Sequence, residues 1–295
     1  IATSKKIASF GIAQINTLKG GTGSGDVHSA YVTSIADGLA NQFTLDSTLK
    51  TYYTDFYAAN KKSTTDSFGV STIITCAEAD ISASDIATYA ANDDIAVISL
   101  GRNSGEGADR TNTAGDYQLT DTETNLITNV ATAFHAQGKK VVVVLNVAGV
   151  IDTAWKDKVD GILLAYMPGQ EAGDAIADLL SGVANPSGKL AQTFPASYTD
   201  VPSATSFAGV DTDSDGTVDT NYYNEGIYVG YRYYDTFNKS VSYPFGYGLS
   251  YTTFEYKDAK VASNTLDSKG ASGVVTLTAT ISNTGSVAGK EAAQV

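Results

Sequence analysis

One glutamate in this sequence stands where a side chain could act as an acid or a base. Glu106 lies between Gly105 and Gly107, shortly after an apolar run over residues 94–100 that is typical of a buried strand. Flanking glycines let the backbone project a carboxylate outward and allow the loop to move. A carboxyl group held in this way can give or take a proton, so Glu106 is a candidate general acid/base. The residues alone leave a second interpretation open, which is a solvated loop glutamate.

Charged side chains accompany this candidate acid. Arg102, Asp109 and Arg110 belong to the same loop, Arg102–Arg110. Guanidinium groups form charge-assisted hydrogen bonds with carboxylates, and these are stronger than neutral ones. We therefore expect the three side chains to help hold the loop through such pairs.

A second loop, Lys19–Asp26, is rich in glycine and carries the polar side chains Ser24 and Asp26. Such a loop lets the backbone approach a ligand closely, while the two side chains offer hydrogen bonds. The dinucleotide fingerprint needs a third glycine that is missing here, and a phosphate-binding loop needs a lysine where Asp26 stands. These mismatches weaken the alternative of a flavodoxin-like nucleotide-binding domain. A plain structural loop stays open as an interpretation.

An acidic turn has the spacing of a calcium-binding loop. Asp211, Asp213 and Asp215 precede Gly216 in the order that such loops use, but Tyr222 occupies the position of the bidentate carboxylate. The alternative is a solvated acidic turn. The sequence does not decide between the two, and we assign no metal site.

Several other residues with possible chemistry have simpler interpretations. His28 and His135 have no partner at zinc-ligand spacing, so we expect surface or capping positions. Cys76 is the single cysteine, which excludes an internal disulfide and predicts a small apolar side chain near a strand. Trp155 is predicted to pack in the interior. The tyrosine-rich run Tyr222–Tyr234 could line a sugar site, but we expect it to pack against the preceding domain.

The elements that position these loops alternate between short apolar runs and helical stretches, a pattern typical of a parallel sheet covered by helices. The sequence predicts a doubly wound α/β sandwich with a mostly parallel sheet over residues 1–205. Thr120 and Glu123 form a capping box, and Gly138 is a left-handed helix end. Strands are expected at Lys6–Ile12, Asp94–Leu100, Lys139–Leu145 and Gly161–Tyr166, and helices at Ala30–Leu39, Leu45–Asn60, 82–92, 120–137 and Glu171–Leu180.

The remaining residues have a different pattern. Residues 206–250 show little periodicity and are predicted to form a linker that wraps the sandwich. From residue 251 to residue 295 apolar and polar residues alternate, with strands expected at Thr253–Lys260 and Gly273–Ile281. We interpret this segment as part of an all-β sandwich. Two or three strands alone would expose an unpaired edge and be marginally stable.

Composition excludes two kinds of partner. The chain has 19 lysines and arginines against 32 aspartates and glutamates, a net charge of −13, so its field repels a phosphate backbone. No stretch approaches the ~20 apolar residues of a membrane span. We therefore expect neither nucleic acid nor a membrane as a partner. The low cysteine content does not decide the compartment, which could be a bacterial cytoplasm or the outside of the cell.

A resemblance to a known family runs along nearly the whole chain. The chain is similar to glycoside hydrolase family 3, the β-glucosidase-type enzymes, and resembles their C-terminal α/β sandwich followed by the start of a fibronectin type III-like domain. The matching segments, in order, are KGGTGSGDV, DIAVISLGR with SGEGADR and KKVVVVLN, VDGILLAYMPGQEAGDAIADLLSGVANPSGKLAQTFP, EGIYVGYRYYDTF and YPFGYGLSYTTFEY.

The resemblance implies a retaining β-glycosidase that hydrolyses O-glycosidic bonds at non-reducing ends, usually of β-glucosides and sometimes of β-xylosides. It implies that Glu106 is the general acid/base and that Ser24 touches the sugar. The nucleophilic aspartate would stand on a TIM-barrel domain of the same enzyme. No cofactor is implied.

This chain carries no barrel sequence, so we expect a fragment with little or no activity alone. The barrel could precede Ile1 or follow Val295, because some members have the reverse domain order. An acid near neutral pH needs a raised pKa, which a negative nucleophile facing Glu106 would produce. The alternative function is a non-catalytic carbohydrate-binding module.

Overall fold

A computed structural model describes residues 1–66, 69, 72–107, 109–207, 209–266 and 272–294. In this part of the chain, five parallel strands form a central sheet in the order β2-β1-β5-β6-β7. Residues 141–145 (VVVVL) are apolar toward both faces, as expected for a buried parallel strand. The strands of the sheet are β1 (Lys6–Phe10), β2 (Thr44–Leu45), β5 (Ile95–Arg102), β6 (Lys140–Val147) and β7 (Gly161–Leu164); the others are β3 (Lys62–Thr65), β4 (Thr72–Thr75), β8 (Phe194–Pro195), β9 (Val241–Tyr243), β10 (Phe254–Asn264) and β11 (Val275–Asn283).

Helices cover both faces of this sheet. The core on one face contains side chains of α1 and α5, and the core on the other face contains side chains of α2, α3 and α4. The predicted doubly wound α/β sandwich is therefore confirmed. The helices are α1 (Ile35–Gln42), α2 (Ser47–Asn60), α3 (Ala83–Asn92), α4 (Asp121–Ala136), α5 (Ala172–Ser181) and the short α6 (Tyr231–Thr236).

Two glycines explain how closely α1 and α5 pack. A Cβ atom on Gly38 would lie 2.0 Å from the carbonyl carbon of Gly173, and one on Gly173 would lie 1.9 Å from the Ser34 oxygen. No side chain fits at either position without moving the backbone. The pair therefore sets the distance between the two helices on that face.

The predicted helix ends are confirmed by their hydrogen bonds. The Ser82 hydroxyl accepts from the Asp85 amide at the start of α3. Thr120 and Glu123 form the reciprocal capping box of α4, and Gly138 beyond its end has φ +69°. These bonds satisfy amides that a helix leaves without partners in its first turn.

The structure corrects several element boundaries. β1 ends at Phe10 rather than Ile12, because Gly11 has φ +89° and the chain turns into a 3₁₀ helix at Ile12–Gln14. The first two helices begin later than predicted, at Ile35 and Ser47. The sequence pattern also missed β2 and the antiparallel hairpin β3–β4, whose strands are short and mostly exposed.

Residues 206–250 contain little regular structure, and their role as a linker that wraps the sandwich stays a prediction. The interpretation of Tyr222–Tyr234 as packing residues is mostly wrong. Within this run Tyr234 is buried, whereas Tyr223 is 81% exposed and Ile227 70%. The aromatic content of this run does not predict burial, because burial depends on which segments of the fold cover a side chain.

The chain ends in the antiparallel hairpin β10–β11. Asn185 connects this hairpin to the sandwich, since its side-chain oxygen accepts from the Tyr251 amide at 2.9 Å and its nitrogen donates to the Ala288 carbonyl at 2.9 Å. Within the described residues, no helix combines the length and apolar character that crossing a bilayer requires.

Candidate active site at the carboxyl edge of the sheet

The two candidate loops meet at the carboxyl edge of the sheet. β1 and β5 are parallel neighbours, so the segments that follow them leave the sheet side by side. The Thr22 amide donates to the Ser104 carbonyl at 3.1 Å, and Thr22 and Gly105 form a parallel bridge. The tertiary structure thus brings together the loop of Ser24 and the loop of Glu106, which are 82 residues apart in sequence.

Two glycines make this approach possible. A Cβ atom on Gly105 would lie 2.1 Å from the Thr22 hydroxyl oxygen and 2.5 Å from its carbonyl oxygen. Gly23 has φ +81°, and a Cβ atom there would lie 2.5 Å from Glu106 Oε2. The glycines therefore serve close packing between the loops as well as backbone freedom.

Ser24 binds Glu106 directly. Its amide donates to Glu106 Oε2 at 2.6 Å, and its hydroxyl donates to the same oxygen at 2.5 Å. The carboxylate is otherwise exposed to solvent. The Ser24 hydroxyl first, and then the Ser24 amide, lower the pKa of Glu106 below its ordinary value. Among the residues that the structure describes, the net effect on Glu106 is therefore opposite to the raised pKa expected of a general acid.

The root of the Glu106 loop is held by buried charges. Arg102 is 7% exposed and donates to both oxygens of Glu123, at 2.7 and 2.6 Å. Arg110 forms a second ion pair with Asp116. The prediction that arginines anchor the loop is confirmed for Arg102 and Arg110, whereas Asp109 takes part in neither pair. Ala108, within the same loop, lies outside the described residues.

The glycine-rich loop has its own anchors. The Lys19 ammonium group contacts Asp26 Oδ1 at 2.8 Å, which joins the two ends of the loop. The Lys19 carbonyl accepts from the Gly169 amide, also at 2.8 Å. Asp26 is thus a partner of Lys19, and Ser24 is the side chain that faces the candidate acid.

Sequence reasoning missed another glutamate near this edge. Glu78 accepts from the Ile12 amide at 2.9 Å, from the Ala79 amide at 3.0 Å and from the Tyr53 hydroxyl at 3.2 Å. Burial raises the pKa of Glu78 to about 7. The residues on either side of Glu78 show no regular apolar pattern, so nothing in the sequence indicates that this side chain packs inward.

The acidic turn is compact. Carboxylate oxygens of Asp211, Asp213 and Asp215 all lie within 4.8 Å of one another. Asp211 accepts from the Ser214 amide at 2.6 Å and from the Gly216 amide at 2.8 Å. The turn carries no metal assignment, because exposed acidic side chains commonly converge without an ion.

The remaining candidates have structural roles. His28 and His135 are exposed, as predicted, and His135 Nε2 lies 2.8 Å from Asp160. Trp155 is 5% exposed, packs in the core and donates to the Asp152 carbonyl, which confirms its packing role. Cys76 is a free thiol just after β4 and packs against the core.

Fold and site together define a class of protein: an α/β sandwich that presents one carboxylate on a glycine-flanked loop at the carboxyl edge of its sheet. Residues 1–231 match the family model described as glycosyl hydrolase family 3 C-terminal domain. The chain belongs to glycosyl hydrolase family 3, and the homology covers the C-terminal domain of that family.

Individual relatives agree with this placement. Beta-glucosidase A of Butyrivibrio fibrisolvens is 35% identical, across 98% of this chain and 38% of that protein. The structure of beta-glucosidase 3B from Thermotoga neapolitana in complex with glucose superposes with a TM-score of 0.85 at 42% identity, over 97% of this chain and 39% of that one. An exo-alpha-(1->6)-L-arabinopyranosidase of Bifidobacterium longum is 45% identical over 54% of this chain and 20% of its own length. The chain thus spans about two fifths, or less, of the relatives it matches.

Proposed function

We propose that this chain supplies the general acid/base of a retaining β-glycosidase that acts on β-glucosides at their non-reducing ends. Glu106 is the acid/base, and Ser24 contacts the sugar. The nucleophilic carboxylate stands on a barrel domain of the same enzyme. The observation that carries this proposal is the convergence of Glu106 and Ser24 on glycine-rich loops at the carboxyl edge of the sheet, where open α/β folds bind ligands.

The chemistry requires two carboxyl groups about 5–5.5 Å apart. In the first step the nucleophile attacks the anomeric carbon while Glu106 protonates the leaving oxygen. In the second step Glu106 takes a proton from water, which attacks the glycosyl-enzyme intermediate and releases the sugar. Glu106 therefore acts once as an acid and once as a base, as microscopic reversibility demands.

The hydrogen bonds from Ser24 bear on the first step. In this chain they favour the ionised form of Glu106, which cannot donate a proton. A sugar hydroxyl that competes for the Ser24 hydroxyl would weaken that stabilisation. A negatively charged nucleophile nearby would add repulsion, and both changes raise the pKa of Glu106 toward the range a general acid needs.

A β-glucoside is the proposed substrate because relatives that cover nearly the whole chain are named β-glucosidases. The arabinopyranosidase relative shows that the family includes enzymes named for other sugars. Specificity for the sugar would then depend largely on the barrel, since Glu106 acts on the leaving oxygen.

The same proposal divides the chain into three parts. Residues 1–205 are the catalytic sandwich, residues 206–250 are a linker, and residues 251–295 are the beginning of a fibronectin type III-like domain. The exposed apolar side chains of the hairpin support the last assignment, because Val261, Leu277 and Ile281 are 58%, 47% and 40% exposed. Further strands of a β-sandwich would cover them.

The test is Glu106→Ala in the complete enzyme, with the barrel present. Turnover of substrates with poor leaving groups should fall about 10²–10⁴-fold, because they need protonation. Turnover of activated aryl glucosides should fall less in the first step, and azide or formate should partly restore activity by replacing the missing carboxylate. Glu255→Ala, at an exposed carboxylate on β10, is the matched control and should change neither substrate class.

Two outcomes would reject the assignment or redirect it. Unchanged turnover in Glu106→Ala would exclude the acid/base role. Unchanged turnover with weakened glucose binding would instead favour the alternative, a carbohydrate-binding module in which the loop serves recognition. We also expect residues 1–295 alone to have little or no hydrolase activity and added barrel domain to restore it, measured with an activated aryl glucoside.

A further inference from the structure

A fully buried asparagine lies beneath the two loops of the proposed site. Asn146 is on β6, one residue before the strand ends, and its side chain is 0% exposed. Its Oδ1 accepts from the Leu18 amide at 2.7 Å. Its Nδ2 donates to the Leu18 carbonyl at 2.9 Å and to the Tyr166 carbonyl at 2.7 Å.

These three bonds connect the segments that follow β1 and β7, two strands that are not neighbours in the described sheet. Leu18 leads from β1 into the glycine-rich loop, and Tyr166 lies just beyond β7, on the far side of β6. Tyr166 has φ +51°, a conformation that L-residues rarely adopt and that surrounding contacts must maintain. A nearby backbone bond, from the Gly169 amide to the Lys19 carbonyl, joins the same two segments.

The neighbouring strand is shaped to allow this arrangement. Gly101 on β5 is paired in register with Asn146. A Cβ atom on Gly101 would lie 3.1 Å from Ala13 Cβ and 3.7 Å from Leu18 Cδ1, so the glycine leaves room for the chain to cross above β5. Both donors and one acceptor position of the buried amide are used, and an apolar side chain would leave three backbone groups without these partners.

The geometry points to Asn146 as a positioning residue for Ser24 and Glu106, an inference that rests on the proposed function. The connection runs from Asn146 to Leu18, along four residues to Thr22, and from the Thr22 amide to the Ser104 carbonyl beside Glu106. Asn146 touches no substrate in this account. It sets the height of the glycine-rich loop above the sheet and, through Thr22, the position of the acid/base.

The experiment compares leaving groups in the complete enzyme. Asn146→Asp keeps the shape of the side chain but loses both N–H donors. Displacement of a catalytic group by about 1 Å can cost about 10²-fold, so turnover of a poor leaving group should fall about 10–100-fold. An activated aryl glucoside needs little protonation in the first step and should lose about threefold or less. Both rates are compared as kcat/KM, which reports the first step, because Glu106 also acts as the base of the second step. Because a purely structural defect would lower both rates equally, the ratio of the two rates is the diagnostic measurement.

Thr153→Val is the matched control. Thr153 is 3% exposed, and its hydroxyl bonds the Ser242 hydroxyl at 2.6 Å, so the variant also removes a buried hydrogen bond between distant segments. The rate ratio should stay unchanged in this variant. If Asn146→Asp does not fold, Asn146→Ser keeps one donor and one acceptor and is measured in the same way. Hydrogen exchange should also show lost protection at residues 18–26 in the Asn146 variants alone.

The outcomes separate this inference from the proposed function. If Glu106→Ala changes the rate ratio and the Asn146 variant leaves it unchanged, Asn146 does not position the acid and the inference is overturned. Unchanged exchange at residues 18–26 overturns it as well. If Glu106→Ala itself leaves the ratio unchanged, the proposed function fails first, and the exchange result still shows whether Asn146 holds the loop.

Discussion

Glutamates at the exposed tip of the Glu106 loop and in the segments beneath that loop lie in contrasting environments. Glu106 lies in solvent, and Ser24 lowers its pKa. Glu78 lies beneath the edge of the sheet, and burial raises its pKa to about 7. Glu78 itself is half-buried, whereas Glu123 is buried, paired with Arg102 and caps α4. Three glutamates around one edge therefore meet three different environments.

If Glu106 is the acid/base, as we propose, a perturbed pKa does not by itself identify a catalytic group. Glu78 has the raised pKa that a general acid requires, yet its oxygens bond the Ile12 and Ala79 amides and the Tyr53 hydroxyl. Those bonds fix the turn after β1. Glu106 has the less favourable pKa in this chain, but it is accessible and carried by a glycine-flanked loop. Solvent access and loop geometry, rather than the pKa, distinguish Glu106 from Glu78 as a candidate acid.

The largest effect should come from breaking the buried ion pair between Arg102 and Glu123. Arg102→Met removes the partner of Glu123, whose side chain is 8% exposed, and leaves a carboxylate with no counter-charge in the interior. The free energy of unfolding should fall by about 3–5 kcal/mol, measured by urea denaturation.

Lys50→Met tests whether this effect depends on burial. It breaks the Lys50–Asp37 pair, whose side chains are 33% and 60% exposed. Exposed pairs contribute about 0–1 kcal/mol, so the loss should be small. Equal losses in the two variants would show that burial of the Arg102–Glu123 pair is not what makes it stabilising.

A smaller effect should appear in the dependence of stability on pH. The pKa of Glu78 is about 7 in the folded state, above its ordinary 4.5. The folded state therefore binds the proton more tightly, so the contribution of this group is fully present below pH 4.5 and is lost as pH rises through about 7. The loss is at most about 3.5 kcal/mol, since one pKa unit corresponds to about 1.4 kcal/mol.

Glu78→Gln should flatten this dependence. The urea midpoint of the variant should change less than that of the unaltered chain between about pH 5 and pH 8, because glutamine does not titrate. Activity of the complete enzyme should change far less than in Glu106→Ala. A stability that rises with pH across this range and that Glu78→Gln flattens would contradict the raised pKa.

The smallest expected effect is a change in the pKa of Glu106, at the exposed tip of its loop. Ser24→Ala removes the hydroxyl that contributes most to lowering the pKa of Glu106, while the amide at the same position can still donate. The pKa of Glu106 should therefore rise toward its ordinary value. Titration of the ¹³C-labelled carboxyl group by NMR measures this directly, with Ser104→Ala as the control. A pKa that stays in place or falls would show that the hydroxyl bond is absent in solution.

Much of the fold could be predicted because its elements depend on local patterns. The capping box at Thr120 and Glu123 is a matter of spacing within one helical turn, and the apolar run of β6 is continuous. The hairpin β3–β4 was missed because its short strands are mostly exposed and lack the apolar alternation that marks a half-buried strand. Burial of Tyr234 beside the exposed Tyr223 was equally hidden, since side chains of the same type differ only in their neighbours.

For the site, the sequence by itself determined the doubly wound class and the candidate Glu106 on its glycine-flanked loop, because glycine spacing and apolar runs are properties of neighbouring residues. The family followed from the resemblance of the motifs to glycoside hydrolase family 3. Only the tertiary structure decided that Ser24 binds Glu106, that Arg102 pairs with Glu123, that Glu78 bonds the Ile12 amide and that Asn146 joins Leu18 to Tyr166. The physical reason is that hydrogen bonding and desolvation depend on distances in space. The packing of parallel strands brings together residues such as Leu18 and Asn146, which chain order separates by 128 positions.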